Sequence, residues 1–193
     1  MKVVAWNGSP RKGGNTEFLL KTVLAELEFE GIETELIQIG GQLVRGCTAC
    51  GWCRSSGEKR CVIDQDPVNE SILKMRDADG ILFGSPTYFA DVTAEMKALI
   101  DRAGYVLRPG MDLRRKVGAA VVTARRGGSI HAFDSLNHFF LIQEMLVVGS
   151  SYWNDGYGGP VGAVEANDLE GVKTAKALGV NMAWTLKKLH ANF

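Results

Sequence analysis

Residues 3–16, Val3-Val4-Ala5-Trp6-Asn7-Gly8-Ser9-Pro10-Arg11-Lys12-Gly13-Gly14-Asn15-Thr16, constrain the fold more than any other stretch of the chain. Val3 to Trp6 reads as a short buried strand. Asn15 opens a helix whose apolar positions, Leu20, Val23, Leu24 and Leu27, keep helical spacing up to a stop at Gly31. A strand that enters a helix through a turn of small residues leaves backbone N–H groups and the positive helix end in one hollow, which suits a phosphate. Ser9, Asn15 and Thr16 add hydroxyl and amide donors, Arg11 and Lys12 add charge, and Gly13 and Gly14 keep the turn open. A Walker loop is excluded because Gly13 is followed by Gly14-Asn15 and not by a lysine. The G-x-G-x-x-G fingerprint of dinucleotide sites is excluded too, since Gly8 alone precedes the turn. A phosphomonoester is the ligand this stretch favours over a turn that binds nothing.

The same alternation continues along the chain. Strands are expected at Glu33–Ile39, Gly80–Gly84, Val117–Thr123 and Leu146–Val148. Helices are expected from Asp66-Pro67 to about Ala78, after a cap at Asp91, from Ser129 to Met145, and from Leu169 to Leu189. The continuous apolar run Val117–Thr123 suits a strand covered on both faces. Strands alternating with helices imply an α/β fold, a doubly wound five-stranded parallel sheet with helices on both faces. No repeat or linker divides the chain, so residues 1–193 read as one domain with a cysteine-rich insertion at about 42–64. Equal numbers of basic and acidic residues, 22 of each, give no sign of a nucleic-acid or membrane partner. Met1-Lys2 leads straight into a strand and no apolar run is long enough to span a bilayer, so a cytoplasmic protein is expected.

Ligands of such sheets sit beyond the carboxyl ends of the strands, which nominates three loops: Ser9–Thr16, Gly84–Asp91 and Thr123–Ser129. In the second, Pro86 fixes the backbone, Thr87 offers a hydroxyl, and Tyr88 and Phe89 present flat apolar surface. In the third, Ala124, Gly127 and Gly128 let a ligand approach the backbone. A phosphate nest beside an aromatic turn points to flavin mononucleotide (FMN). The chain resembles the NADPH-dependent FMN reductase branch of the flavodoxin-like superfamily through "GSPRKGGNT" and "GSPTYFADVTAEMKALIDR". The resemblance implies that Ser9, Arg11, Gly14, Asn15 and Thr16 hold the FMN phosphate, with Lys12 and Gly13 in the same loop. It implies that Pro86, Thr87, Tyr88 and Phe89 border the flavin ring, and it matches Ala124, Gly127 and Gly128 more loosely.

The second strong signal is Cys47-x2-Cys50-x2-Cys53-x7-Cys61, which holds every cysteine of the chain. Two compact C-x2-C steps suit an iron–sulfur cluster, whereas zinc knuckles want a longer spacer and disulfides an oxidising compartment. Arg45, Arg54, Lys59 and Arg60 lie around the thiols and would favour an anionic cluster, or form a solvated face. The segment is similar to that of the iron–sulfur flavoproteins, whose cysteines bind a [4Fe–4S] cluster; the x7 gap exceeds that of ferredoxins, and zinc or free thiols stay open.

His131, His138 and His190 form no metal set, and no Ser–His–Asp group or carboxylate pair stands out, which fits chemistry carried by a cofactor. Tyr152, Trp153 and Tyr157 could cover a flavin or pack on their own domain. The expectation is an FMN-dependent oxidoreductase that also carries an iron–sulfur cluster and passes electrons between a donor such as NAD(P)H or ferredoxin and an acceptor, as a homodimer or homotetramer. A cluster-free NAD(P)H-dependent FMN or quinone reductase and a flavodoxin-like electron carrier are the alternatives.

Overall fold

The computed structural model describes residues 1–191; Asn192 and Phe193, the end of the expected 1–193 domain, lie outside the described residues. The chain runs β1 (Lys2–Asn7), α1 (Asn15–Phe29), β2 (Glu33–Gln38), α2 (Trp52–Ser55), α3 (Val68–Asp77), β3 (Gly80–Pro86) and α4 (Ala94–Leu107). It continues through β4 (Val117–Ala124), α5 (Ser129–Ile142), β5 (Leu146–Val147), β6 (Asp155–Tyr157), α6 (Ala163–Asn167) and α7 (Leu169–His190).

All pairings between these strands are parallel, in the order β2-β1-β3-β4-β5. Alternate residues of each strand feed opposite cores. Val3, Ala5, Leu82, Ala119 and Val121 pack against α1 and α7, while Val4, Trp6, Ile81, Phe83, Ala120 and Val122 meet α3, α4 and α5. The second core is aromatic: Phe83 stacks on Phe140 at 5.1 Å and meets Trp6 edge-on at 5.7 Å. Trp6 Nε1 donates to Ser71 Oγ at 3.1 Å, so the buried indole keeps its hydrogen bond. On the other face a Cβ at Gly179 would stand 2.6 Å from the Val23 carbonyl, and its absence lets α7 lie directly against α1.

The expected parallel α/β sheet is present, and four details differ from the sequence reading. The five expected strands are joined by β6, which pairs with the distal end of β4 through Val122–Asp155, Thr123–Gly156 and Ala124–Tyr157. β5 takes the other end of the same edge, at Val117 and Gly118. Helix α4 is capped by Thr93, whose Oγ1 accepts from Met96 N, and not by Asp91. Asp91 is used earlier, in a reciprocal backbone pair with Tyr88 that closes a turn through Phe89 and Ala90, both at positive φ. Helix α5 stops at Ile142, short of Met145, because the chain turns at Glu144 with φ 57°. Proline 67 occupies the N-cap position of α3, with Asp66 Oδ1 accepting from Val68 N at 3.2 Å.

Candidate functional site

The carboxyl ends of β1, β3 and β4 surround a cavity of about 190 Å³. The first loop is fixed from beneath by buried Asn7, which donates to Gln38 Oε1 at 2.8 Å and accepts from Ser9 N at 3.0 Å. Ser9 Oγ accepts from Arg11 N at 3.2 Å, and Gly14 N donates to the Arg11 carbonyl at 3.1 Å, so residues 9–14 fold into a tight concavity. Gly14 caps α1 without a side-chain hydrogen bond, which leaves the first-turn N–H groups without a capping acceptor. Thr16 Oγ1 meets Thr123 Oγ1 at 2.7 Å and ties this helix start to the end of β4.

The second loop is held to the third by Thr87 N, which donates to the Thr123 carbonyl at 2.7 Å. The Phe89–Ala90 turn pushes the Phe89 side chain fully into solvent, and Tyr88 is half exposed beside it. Gly128, at φ 92°, starts α5, and a Cβ there would stand 3.1 Å from Ala90 Cα and 3.3 Å from Thr87 Cγ2. Glycine is therefore what lets the second and third loops close on each other. Thr87 Oγ1 is buried with no hydrogen-bond partner, although its residue lines the cavity.

Ser9, Arg11, Asn15, Thr16, Pro86, Thr87, Tyr88 and Ala124 all line this cavity. Lys12 and Gly13 lie exposed on its shoulder, Gly14 is buried under the turn, and Gly127 and Gly128 flank the start of α5. Gly158, Gly159 and Val161 also line it, a contribution not visible in the sequence. Asn15 Nδ2 donates to the Gly158 and Pro160 carbonyls at 3.0 and 2.8 Å, and Arg11 Nη1 to the Gly159 carbonyl at 3.2 Å. Tyr152 and Trp153 pack edge-on against each other at 4.7 Å away from this lining, and Tyr157 Oη bonds to Ser129 and Asp155. The uncapped helix start, the clustered hydroxyls with Arg11, and the orphaned Thr87 hydroxyl fit a phosphomonoester.

All four cysteines line a second cavity, of about 240 Å³, between the 47–63 segment and α4. Their thiols are free; Cys47 and Cys50 are exposed, Cys53 and Cys61 half-buried. Among the described residues no three His, Cys, Asp or Glu side chains group around a single-ion position. Burial pushes the Cys53 thiol up, and the neighbouring Cys61 and Cys50 add to the effect.

The residues that hold this segment were not read from the sequence. Asn69 brackets Cys61, accepting from its N–H at 2.8 Å and donating to its carbonyl at 2.9 Å. Arg102, on α4 and 1% exposed, donates from Nε to Cys61 Sγ at 3.3 Å, from Nη1 to the Arg45 carbonyl at 3.0 Å, and from Nη2 to the Ile63 carbonyl at 2.7 Å. Its Nη1 also pairs with Asp66. Burial opposes the charge, but Asp66 and Cys61 outweigh it and hold the guanidinium more basic than usual. Of the basic residues expected around the thiols, Arg54 lines the cavity and lies 4.9 Å over the Tyr105 ring, whereas Arg60 pairs with Asp64. An arginine inside an amphipathic helix looks like an ordinary exposed position until the loop that covers it is known.

The description NADPH-dependent FMN reductase matches residues 1–159. The chain belongs to the NADPH-dependent FMN reductase family. Among family relatives, an iron–sulfur flavoprotein of Methanocaldococcus jannaschii is 42% identical over 97% of this chain and 98% of its own length. The iron–sulfur flavoprotein of Methanosarcina thermophila is 34% identical over 100% of this chain and 98% of its own. The fold is shared with the flavodoxin, WrbA-like protein from Agrobacterium tumefaciens at TM-score 0.67 and 17% identity, over 97% of both chains. As a member of the FMN reductase family with a flavodoxin-like sheet, the protein is an FMN-dependent oxidoreductase. Among the described residues no helix is long and apolar enough to cross a membrane.

Proposed function

We propose that this oxidoreductase exchanges electrons between FMN, seated at the strand ends, and an iron–sulfur cluster ligated by Cys47, Cys50, Cys53 and Cys61. The observation that carries the reading is the convergence of all four free thiols on one cavity, with the N–H of a buried arginine on one of the sulfurs. The names of the two relatives above support it. Four thiolates and a cationic donor suit an anionic cluster better than a scattered set of inert thiols.

When bound, FMN supplies hydride and single-electron exchange and the cluster supplies single electrons. The side chains bind and orient. In this reading Ser9, Arg11 and Thr16, with the backbone N–H groups of Lys12 and Asn15, take the phosphate, while Gly13 and Gly14, whose N–H groups are held by Glu17 and the Arg11 carbonyl, shape the turn. Pro86, Thr87, Tyr88 and Phe89 border the ring, Thr87 Oγ1 gains its missing partner there, and Ala124, Gly127 and Gly128 form the opposite wall. Asn15 and Arg11 hold the 158–160 loop against the first loop. A second reading, NAD(P)H-dependent reduction of FMN or a quinone without a cluster, is favoured by the family's description. Iron and acid-labile sulfide per FMN in anaerobically purified protein decide between them: about four of each is expected for the cluster. Absence of both, with rapid steady-state NADPH oxidation, gives the second reading.

A further inference from the structure

We infer that Arg102 is the positioning residue of the cysteine site, closing the cysteine segment and raising the reduction potential of the group the thiols hold. This rests on the cluster reading above. The guanidinium reaches both ends of the segment at once, the Arg45 carbonyl before Cys47 and the Ile63 carbonyl after Cys61. Joining the ends of a flexible segment costs entropy, and a rigid donor fork that meets several acceptors in fixed directions offsets that cost. Nε is aimed at Cys61 Sγ, the cysteine beyond the long gap and the one whose backbone Asn69 also brackets. Cys47 and Cys50 lie exposed, and of the four sulfurs Cys61 is the one that meets a buried charged side chain.

Position and electrostatics are coupled here. A charge-assisted N–H on a ligating sulfur favours the more negative, reduced form of the cluster, and a cation 1% exposed is little screened by solvent. Asp66, itself nearly buried, is the counter-charge that moderates it. Charge at Arg102 and charge at Asp66 must therefore move the potential in opposite directions. A purely mechanical clamp would move it in neither.

The test compares Arg102→Gln, Arg102→Lys and Asp66→Asn in anaerobically purified FMN-loaded protein, with retained FMN as the check of the fold. Arg102→Gln keeps an N–H donor without the charge, and the one-electron midpoint is expected to fall by about 59 mV, a tenfold shift toward the oxidised form. Arg102→Lys keeps the charge without the fork, so the midpoint stays nearer wild type while iron is lost to a chelator about tenfold faster. Asp66→Asn raises the midpoint, and it alone decides the matter if the Arg102 variants lose FMN. In metal-free protein Arg102→Gln also speeds proteolysis within residues 46–60. Unchanged midpoints in Arg102→Gln and Asp66→Asn, with the cluster present, overturn the inference. Wild-type protein with no iron or sulfide instead removes the cluster reading beneath it.

Discussion

The loops of the proposed flavin cleft leave β1, β3 and β4 and are fastened within a few residues of their strands. Gly8 N donates to the Gly84 carbonyl at 2.7 Å, Thr87 N to the Thr123 carbonyl at 2.7 Å, and Thr93 Oγ1 to the Gly8 carbonyl at 2.8 Å. The cysteine segment leaves β2 and makes one short helix, Trp52–Ser55, before α3. Turns at Ala49, Gly51, Gly57 and Lys59 all take positive φ. Its anchors are side chains, Arg102, Asn69 and Asp66. A cleft made from strand ends inherits its shape from the sheet, whereas a site made from a loop depends on a few buried polar groups.

The largest effect that sharpens this contrast is expected for Arg102→Met. It strands the buried Asp66 carboxylate and should cost about 3–5 kcal/mol in urea denaturation. FMN should still bind to whatever fraction is folded. Comparable loss of FMN affinity in that fraction would show that the two sites are not separately supported. Thr16→Val, at the cleft, removes a hydroxyl that meets Thr123 at the proposed phosphate site, and should weaken FMN by about tenfold in a fluorescence titration. Full iron retention in that variant is part of the expectation. A smaller effect is expected for Asn15→Ala, which frees the 158–160 loop: faster amide exchange at residues 158–161 and an FMN loss of about fivefold, near 1 kcal/mol.

The smallest is a pH effect on the first loop. Glu17 Oε2 accepts from Gly13 N at 2.6 Å and pairs with Lys21. Lys21 first, then the Gly13 N–H, hold its carboxyl below the usual 4.5. A depressed folded value means that its contribution is fully present above about 4.5 and is lost as pH falls through the lower, folded value. Glu17→Gln should therefore lower stability slightly near neutrality and flatten the acid limb of the stability–pH curve, the two curves converging at low pH. A parallel acid limb in the variant would place that sensitivity elsewhere.

The same contrast explains what the sequence revealed. The β1–loop–α1 unit was legible because periodicity, small turn residues and phosphate chemistry are all local, and three nominated loops do meet at one cavity. The thiols were legible as a group because their spacing is local too. Arg102 and Asn69 were not, because their partners lie 41 and 8 residues away and nothing about either residue on its helix announces a loop above it. Asp155–Tyr157 was missed as a strand because three residues carry no period, and only the end of β4 makes them one. Asp91 looked like a helix cap because capping chemistry is common to many turns. The reciprocal pair with Tyr88 used that position first.

The outer edge of β4 is occupied at one end by β5 and at the other by β6, and residues 149–153 leave the sheet and return to the same edge between them. Registers on both sides are set independently, by Val117–Leu146 and by Val122–Asp155. The excursion therefore acts as a splice point: doubling its length costs only about 0.6 kcal/mol in closure entropy and shifts no strand. New sequence, a peptide tag or a small folded module, can enter the chain there while the wall of the flavin cleft keeps its place.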